Sequence, residues 1–193
     1  MLRRLYDWTM NLAAGRHADK ALAGVAFAES SFFPIPPDLL LIPMVLADRS
    51  KAWRYAAIAT VASVVGGIFG YLIGAFLFEE AAKPILQFYG AMDKFDEFKD
   101  WYADWGAWIV FTAGLTPFPY KVITIASGVT SLDFFVFIAA SVVARGLRFF
   151  IVAGLLFWIG PPIREFIERR LGLVFTVFVV LLIGGFVAIR FLV

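Results

Sequence analysis

Five ionisable residues stand inside stretches that are otherwise apolar: Glu29, Asp38, Lys121, Arg145 and Arg148. Their charges sum to +1. Arg145 and Arg148 are three residues apart, so on a helix they share a face. A guanidinium binds phosphate through a planar two-pronged fork, and an arginine pair with a lysine suits a phosphomonoester or phosphodiester. Glu29 and Asp38 would hold the arginines when no anion is bound. Burial disfavours the charged form of a carboxylate, so either acid is also a candidate carrier of a transported proton. The competing reading is a salt-bridge network that only fixes one segment to another. Five charges at membrane depth exceed what architecture alone usually needs.

The acids and the lysine sit beside proline breaks. The first runs Glu29-Ser-Ser-Phe-Phe-Pro34-Ile-Pro36-Pro37-Asp38, and the second runs Thr116-Pro117-Phe118-Pro119-Tyr120-Lys121. Proline removes a backbone donor and disfavours helix at the residue before it. The arms around the first break are 21–33 and 39–47, and those around the second are 105–115 and 122–132. At about 1.5 Å per residue the 39–47 arm is only ~14 Å long, half a bilayer. Each segment therefore reads as a re-entrant helical hairpin, with Pro34, Pro36, Pro37, Pro117 and Pro119 at the breaks. Irregular backbone at that depth is tolerated only inside protein or beside a wet cavity. A single kinked span for each segment is the alternative. N-termini of the broken half-helices would add partial positive charge to the cavity.

Composition requires a membrane setting. The 193 residues are 62% hydrophobic and 17% charged, with a mean hydropathy of +0.85. A soluble domain of this size cannot hide so much apolar surface. Three stretches exceed the ~20 residues a helical span requires: 56–78, 134–160 and 171–193. Arg145 lies about 16 Å into the second of these, near mid-membrane. Pro161-Pro162 is expected to end that span, with 163–170 as a short charged turn. Residues 1–18 read as an amphipathic helix in the interface, without the apolar core of a cleavable signal. The acidic, aromatic-rich segment 79–104 reads as an amphipathic helix or pair on the opposite surface.

Charge placement orients these elements. With two returning hairpins and three crossing spans, ten basic residues share one face: Arg3, Arg4, Arg16, Lys20, Arg49, Lys51, Arg54, Arg164, Arg169 and Arg170. Only Lys83, Lys94 and Lys99 fall on the other. The positive-inside rule then puts the N-terminus in the cytoplasm and the C-terminus outside. The two breaks also align with each other, as do Ser63-Val64-Val65 and Ser141-Val142-Val143. That register sets Asp38 opposite Lys121, Gly67 opposite Arg145 and Gly70 opposite Arg148. Each unit, 20–78 and 105–160, is one hairpin plus one span, which makes the pair an inverted repeat. The expected fold is a single all-α integral membrane domain over 1–193.

The chain has no cysteine and one histidine, His17. Thiol chemistry, disulfides and a multi-histidine metal centre are excluded, and no cofactor is expected. No Gly-rich nucleotide loop occurs, and no nucleophile stands beside a base in a pattern for hydrolysis, so an enzyme is not expected. A membrane enzyme acting on lipid phosphate stays open as a rival reading. Nothing in the charge distribution points to nucleic acid.

At Glu29, Asp38, the Pro-x-Pro-x-Lys motif ending at Lys121, Gly128 and the arginine pair, the chain resembles the DedA family, also called the SNARE-associated or VTT-domain family. The resemblance covers roughly residues 20–160. It implies paired re-entrant hairpins in a bacterial inner-membrane protein, and a flippase or scramblase for undecaprenyl phosphate or phospholipid, in some members linked to the proton gradient. Glu29 and Asp38 match the family's acidic positions. One departure stands out: where many members carry Arg-x-x-Pro-x-x-Arg at the second hairpin, this chain has Gly114, with Lys121 one residue beyond the second arginine's place. On this reading Arg145, Arg148 and Lys121 bind the phosphate headgroup, and Glu29 and Asp38 pair with them or carry protons. Membrane lipids are the expected partners. Small-ion or solute transport through the same cavity and a purely structural role are compatible with the same residues, and self-association is left open.

Overall fold

A computed structural model describes residues 17–33, 36–116 and 118–169, with side chains described to residue 160. The expected interfacial helix at 1–18, apart from His17 and Ala18, lies outside the described residues, as do the 171–193 span, Pro34 and Pro117. What is described is all helical, with no strand among the described residues. Helix α1 is Ala18–Ser31, and α2 is Asp38–Ala47. A single 3-10 turn, Arg49–Lys51, leads into α3, Ala52–Leu77. A π turn at Phe78–Ala82 is followed by α4, Lys83–Phe88. Then come α5, Met92–Leu115, α6, Tyr120–Val129, and α7, Phe134–Arg169.

The short helices begin where the prolines stop. Pro37, at φ −65°, stands immediately before Asp38, and Pro119 immediately before Tyr120. A proline there loses nothing, because the first helical N–H groups have no intrahelical partner anyway. The acid Asp38 at the start of α2 also suits the positive end of that helix.

Side-chain pairings fix how the helices run. Asp19 meets Arg54 at 2.5 Å, while Ser30 meets Ser63 at 2.6 Å. Helix α1 therefore lies alongside α3 in the same direction, and its end reaches only the middle of α3. Helix α2 then brings the chain back to the level of Asp19, where α3 starts. The second half repeats this path. Gly106 abuts Leu132 and Gly114 abuts Ala144, so α5 runs alongside α7. Tyr102 bonds Ser127 at 3.0 Å, so α6 returns to the level from which α7 departs. Trp53 packs on Phe150 and Phe157, Arg145 meets Ser63, and Tyr71 packs on Phe134 and Phe137. The long helices α3 and α7 are thus antiparallel, and the two triples pack head to tail. Each short helix crosses to the other triple: α2 lies on α7, and α6 lies on α3.

Glycine permits the second of these crossings. A Cβ on Gly74 would strike the Ile125 carbonyl, and one on Gly128 would strike the Tyr71 carbonyl, so the α3 and α6 backbones touch directly. The other face of the long helices is bare. Phe76, Phe135 and Trp158 are 65%, 79% and 72% exposed. Residues 134–160, with a mean hydropathy of 2.0, and the run 49–88 are both long and apolar enough to cross a bilayer.

Four boundaries differ from the sequence reading. Helix α7 continues through Pro161-Pro162 to Arg169 instead of ending there. Two prolines delete two donors, but their fixed φ is the helical one, so the helix carries on. The segment 79–104 is not separate from the arm 105–115, because α5 runs unbroken across that point. No proline interrupts it, and Tyr102 and Gly106 are both buried on one side of it. The first arm also starts earlier than expected, at Ala18, and the first long helix at Ala52.

Candidate functional site

Residues flanking the two breaks meet at one turn of α7, and four of the five predicted ionisable residues are among them. Glu29, in the last turn of α1, accepts from the Arg145 Nη2 at 2.7 Å. Asp38, the first residue of α2, accepts from the Arg148 Nη2 at 2.6 Å. One turn of α7 thus holds both ends of the first break. Glu29 sits near the negative end of its helix, where a carboxylate is disfavoured, so its partner must supply the compensation.

The two pairs have different surroundings. The Arg145 side chain is 1% exposed and that of Glu29 11%. Arg145 Nε donates to Ser63 Oγ at 2.6 Å. Its guanidinium carbon lies 4.8 Å from the Tyr120 ring centre and 4.7 Å from that of Phe149, within cation–π range. Ser30 Oγ reinforces the other partner, donating to Glu29 Oε2 at 3.1 Å. Tyr120 is itself tied by its hydroxyl, which donates to Ser141 Oγ at 2.5 Å. By contrast, the Arg148 and Asp38 side chains are 14% and 15% exposed. Arg148 Nη1 donates to the carbonyl of Thr116 on the second turn. Asp38 uses one oxygen only; Oδ1 is buried without a hydrogen-bond partner among the described residues.

Lys121 does not join the cluster. It is half-buried, and it forms no ion pair among the described residues. The helical period explains this: Tyr120 is fully buried against Arg145, and the next residue points about 100° around the axis. Pro36, Pro37 and Pro119 flank the turns as expected. Ser63, Tyr120, Phe149 and the Thr116 carbonyl complete the site. Of these, Ser63 is marked by the Ser-Val-Val repeat, and Thr116 and Tyr120 stand in the second proline motif. Thr124 Oγ1 donates to the Ser30 carbonyl at 3.0 Å and so links α6 to the end of α1 directly.

The described residues form an all-helical fold with two helices long and apolar enough to cross a membrane, in which the flanks of two proline breaks meet around a paired set of charges. The chain belongs to the VTT-domain family, also known as the DedA family: the VTT domain matches residues 35–157. The matched region contains Asp38, Lys121, Arg145 and Arg148, and begins just after Glu29. Members of this family are membrane proteins. An uncharacterized protein of Haemophilus influenzae is 37% identical over 184 residues, covering 95% of both chains. An uncharacterized HI0703 homolog of Histophilus somni is 36% identical over 156 residues, 81% of each chain. No solved structure matches the chain.

Proposed function

We propose that the protein is a multi-pass inner-membrane transporter that moves a phosphate-bearing lipid, undecaprenyl phosphate or a phospholipid, across the bilayer. The observation that carries this reading is the meeting of Glu29, Asp38, Arg145 and Arg148 between two turns, flanked by long helices with bare apolar faces. In a bilayer the returning paths of α1–α2 and α5–α6 are re-entrant hairpins, and the head-to-tail triples are an inverted repeat. The segregation of basic residues puts the N-terminus in the cytoplasm and the C-terminus outside. The cluster then sits near mid-membrane.

In this reading the headgroup phosphate enters the polar centre, where Arg145 and Arg148 supply positive charge and Lys121 stands at the margin. The acyl or prenyl tail stays in lipid. Glu29 and Asp38 neutralise the arginines when the site is empty, and a proton taken up by Asp38 loosens its hold on Arg148 and couples flux to pH. No covalent step is involved, so the reading needs no nucleophile and no metal.

A reconstitution assay tests it. Purified protein is placed in liposomes with a fluorescent phospholipid or with undecaprenyl phosphate, and transbilayer movement is followed at two pH values. Wild type moves lipid faster than protein-free liposomes. Arg148→Ala lowers the rate about tenfold or more, as expected for loss of a charge-assisted phosphate contact. Glu29→Gln, which leaves Arg145 without its counter-charge, slows movement. Equal rates for wild type and both variants would remove the proposal.

A further inference from the structure

The two ion pairs differ in ways that assign them separate jobs. Arg145 is enclosed: its edge is bonded to Ser63 and Glu29, and its plane lies against Tyr120 and Phe149. Glu29 has a second donor in Ser30. Separating this pair would strand the Arg145 guanidinium, 1% exposed, where it cannot reach water, which is costly. In the second pair the arginine is the more open of the two, 14% exposed against 1% for Arg145. Asp38 offers Arg148 one oxygen, and its other oxygen has no partner among the described residues. If Asp38 lets go, Arg148 keeps its bond to the Thr116 carbonyl and remains placed. One Nη group is then free to take another anionic oxygen.

We infer that Arg148–Asp38 is the exchangeable pair, in which a phosphate oxygen takes the place of the Asp38 carboxylate on Arg148, while Arg145–Glu29 is a fixed brace that positions α7 and never contacts the ligand. Asp38 is an internal stand-in for the phosphate. Arg145 acts through its charge and through the turn of α7 it immobilises, and is a positioning residue together with Ser63. This division rests on the phosphate reading of the site, but its first test does not.

That first test is arginine modification by phenylglyoxal on the intact protein in membranes, read residue by residue by peptide mass spectrometry. Arg148 reacts at least tenfold faster than Arg145, and Asp38→Asn accelerates Arg148 further while leaving Arg145 protected. Equal protection of the two arginines, or faster reaction at Arg145, overturns the division whatever the ligand. The second test measures binding of dioctanoyl phosphatidic acid and of inorganic phosphate to detergent-solubilised full-length protein. Removing an internal competitor has a sign that a merely structural role does not: Asp38→Asn tightens binding about tenfold, and Arg148→Lys, which loses the fork, weakens it about tenfold. Arg145→Lys, which loses the bonds to both Ser63 and Glu29 made by the fork, lowers the melting temperature more than Arg148→Lys does. Weaker binding in Asp38→Asn overturns the stand-in role. If labelling separates the arginines but wild type binds neither probe, the brace and the opening pair stand, and the phosphate reading falls. Binding of phosphatidic acid without inorganic phosphate identifies a lipid headgroup as the ligand; binding of both identifies phosphate itself as sufficient.

Discussion

Helix α2 docks on α7 through charge, whereas its counterpart α6 docks on α3 with none. In the repeat alignment Arg145 and Arg148 correspond to Gly67 and Gly70. Where the first joint holds two guanidinium groups, the second is filled by neighbours: Thr124 and Tyr120 press on Gly67, and Thr124 and the Ser30 carbonyl press on Gly70. Glu29 corresponds to Thr112, whose hydroxyl merely returns to its own helix, to the Trp108 carbonyl at 2.8 Å. The same half-helix therefore seats on the same kind of long helix by backbone contact at Gly74 and Gly128 and by hydroxyl bonds. Architecture does not require buried charge at this joint. The four charges of the other joint are an addition, and an addition that costs desolvation is retained for what it does.

Substitutions break this comparison most severely where they leave a charge alone. Arg145→Ala strands Glu29 in the interior and should cost about 3–5 kcal/mol, seen as a large fall in melting temperature in detergent or as loss of folded protein. A double change, Arg145→Ala with Glu29→Ala, should recover part of that loss if the pair is a brace. The uncharged joint has its own point of failure. Gly128→Val drives a side chain into the Tyr71 carbonyl and should destabilise by about 1–3 kcal/mol or more, with Gly24→Val, which faces open space, as the mild control. Ser63→Ala removes one charge-assisted bond to Arg145 and should cost about 1.5–3 kcal/mol, measured by the same melts. Ser141→Ala, its counterpart in the repeat, loses only a neutral bond from Tyr120 and should cost about 1 kcal/mol.

The smallest effect belongs to the charges at the outer edge of α3. The Asp48 carboxyl is held below its ordinary 3.8, first by the hydrogen bond from Lys51 and then by that from Ser50. A lowered folded-state value means that any contribution is present above 3.8 and fades as pH falls through the lower value. Lys51→Met should therefore move the Asp48 titration back toward 3.8, read by carboxyl NMR. The melting temperature at pH 7 should stay nearly unchanged, because both groups are well exposed. A loss there comparable to Ser63→Ala would show that fold stability depends on rim and centre alike.

Much of this was readable in the chain itself. Glu29, Asp38, Arg145 and Arg148 announce themselves because charge is rare in apolar helix, and the prolines mark where the short helices begin. Which acid meets which arginine was not readable, because it depends on how far α1 and α2 reach along α7. The brace around Arg145 was hidden for a similar reason: Tyr120 and Phe149 look like ordinary apolar filling until a guanidinium lies against them. Lys121 misled by type, since a lysine beside a proline break looks like a ligand, but a single step around the helix turns it away from the cluster. The persistence of α7 past Pro161-Pro162 was obscured by composition, because proline signals an end without enforcing one.

Arg145 and Arg148 clip the close of α1 and the opening of α2 to a single turn of α7. The intervening stretch is therefore pinned at both feet to one rigid post. When α7 slides or rolls, both feet travel with it. Only by unclipping the second foot, at Asp38, can α2 swing while α1 stays moored.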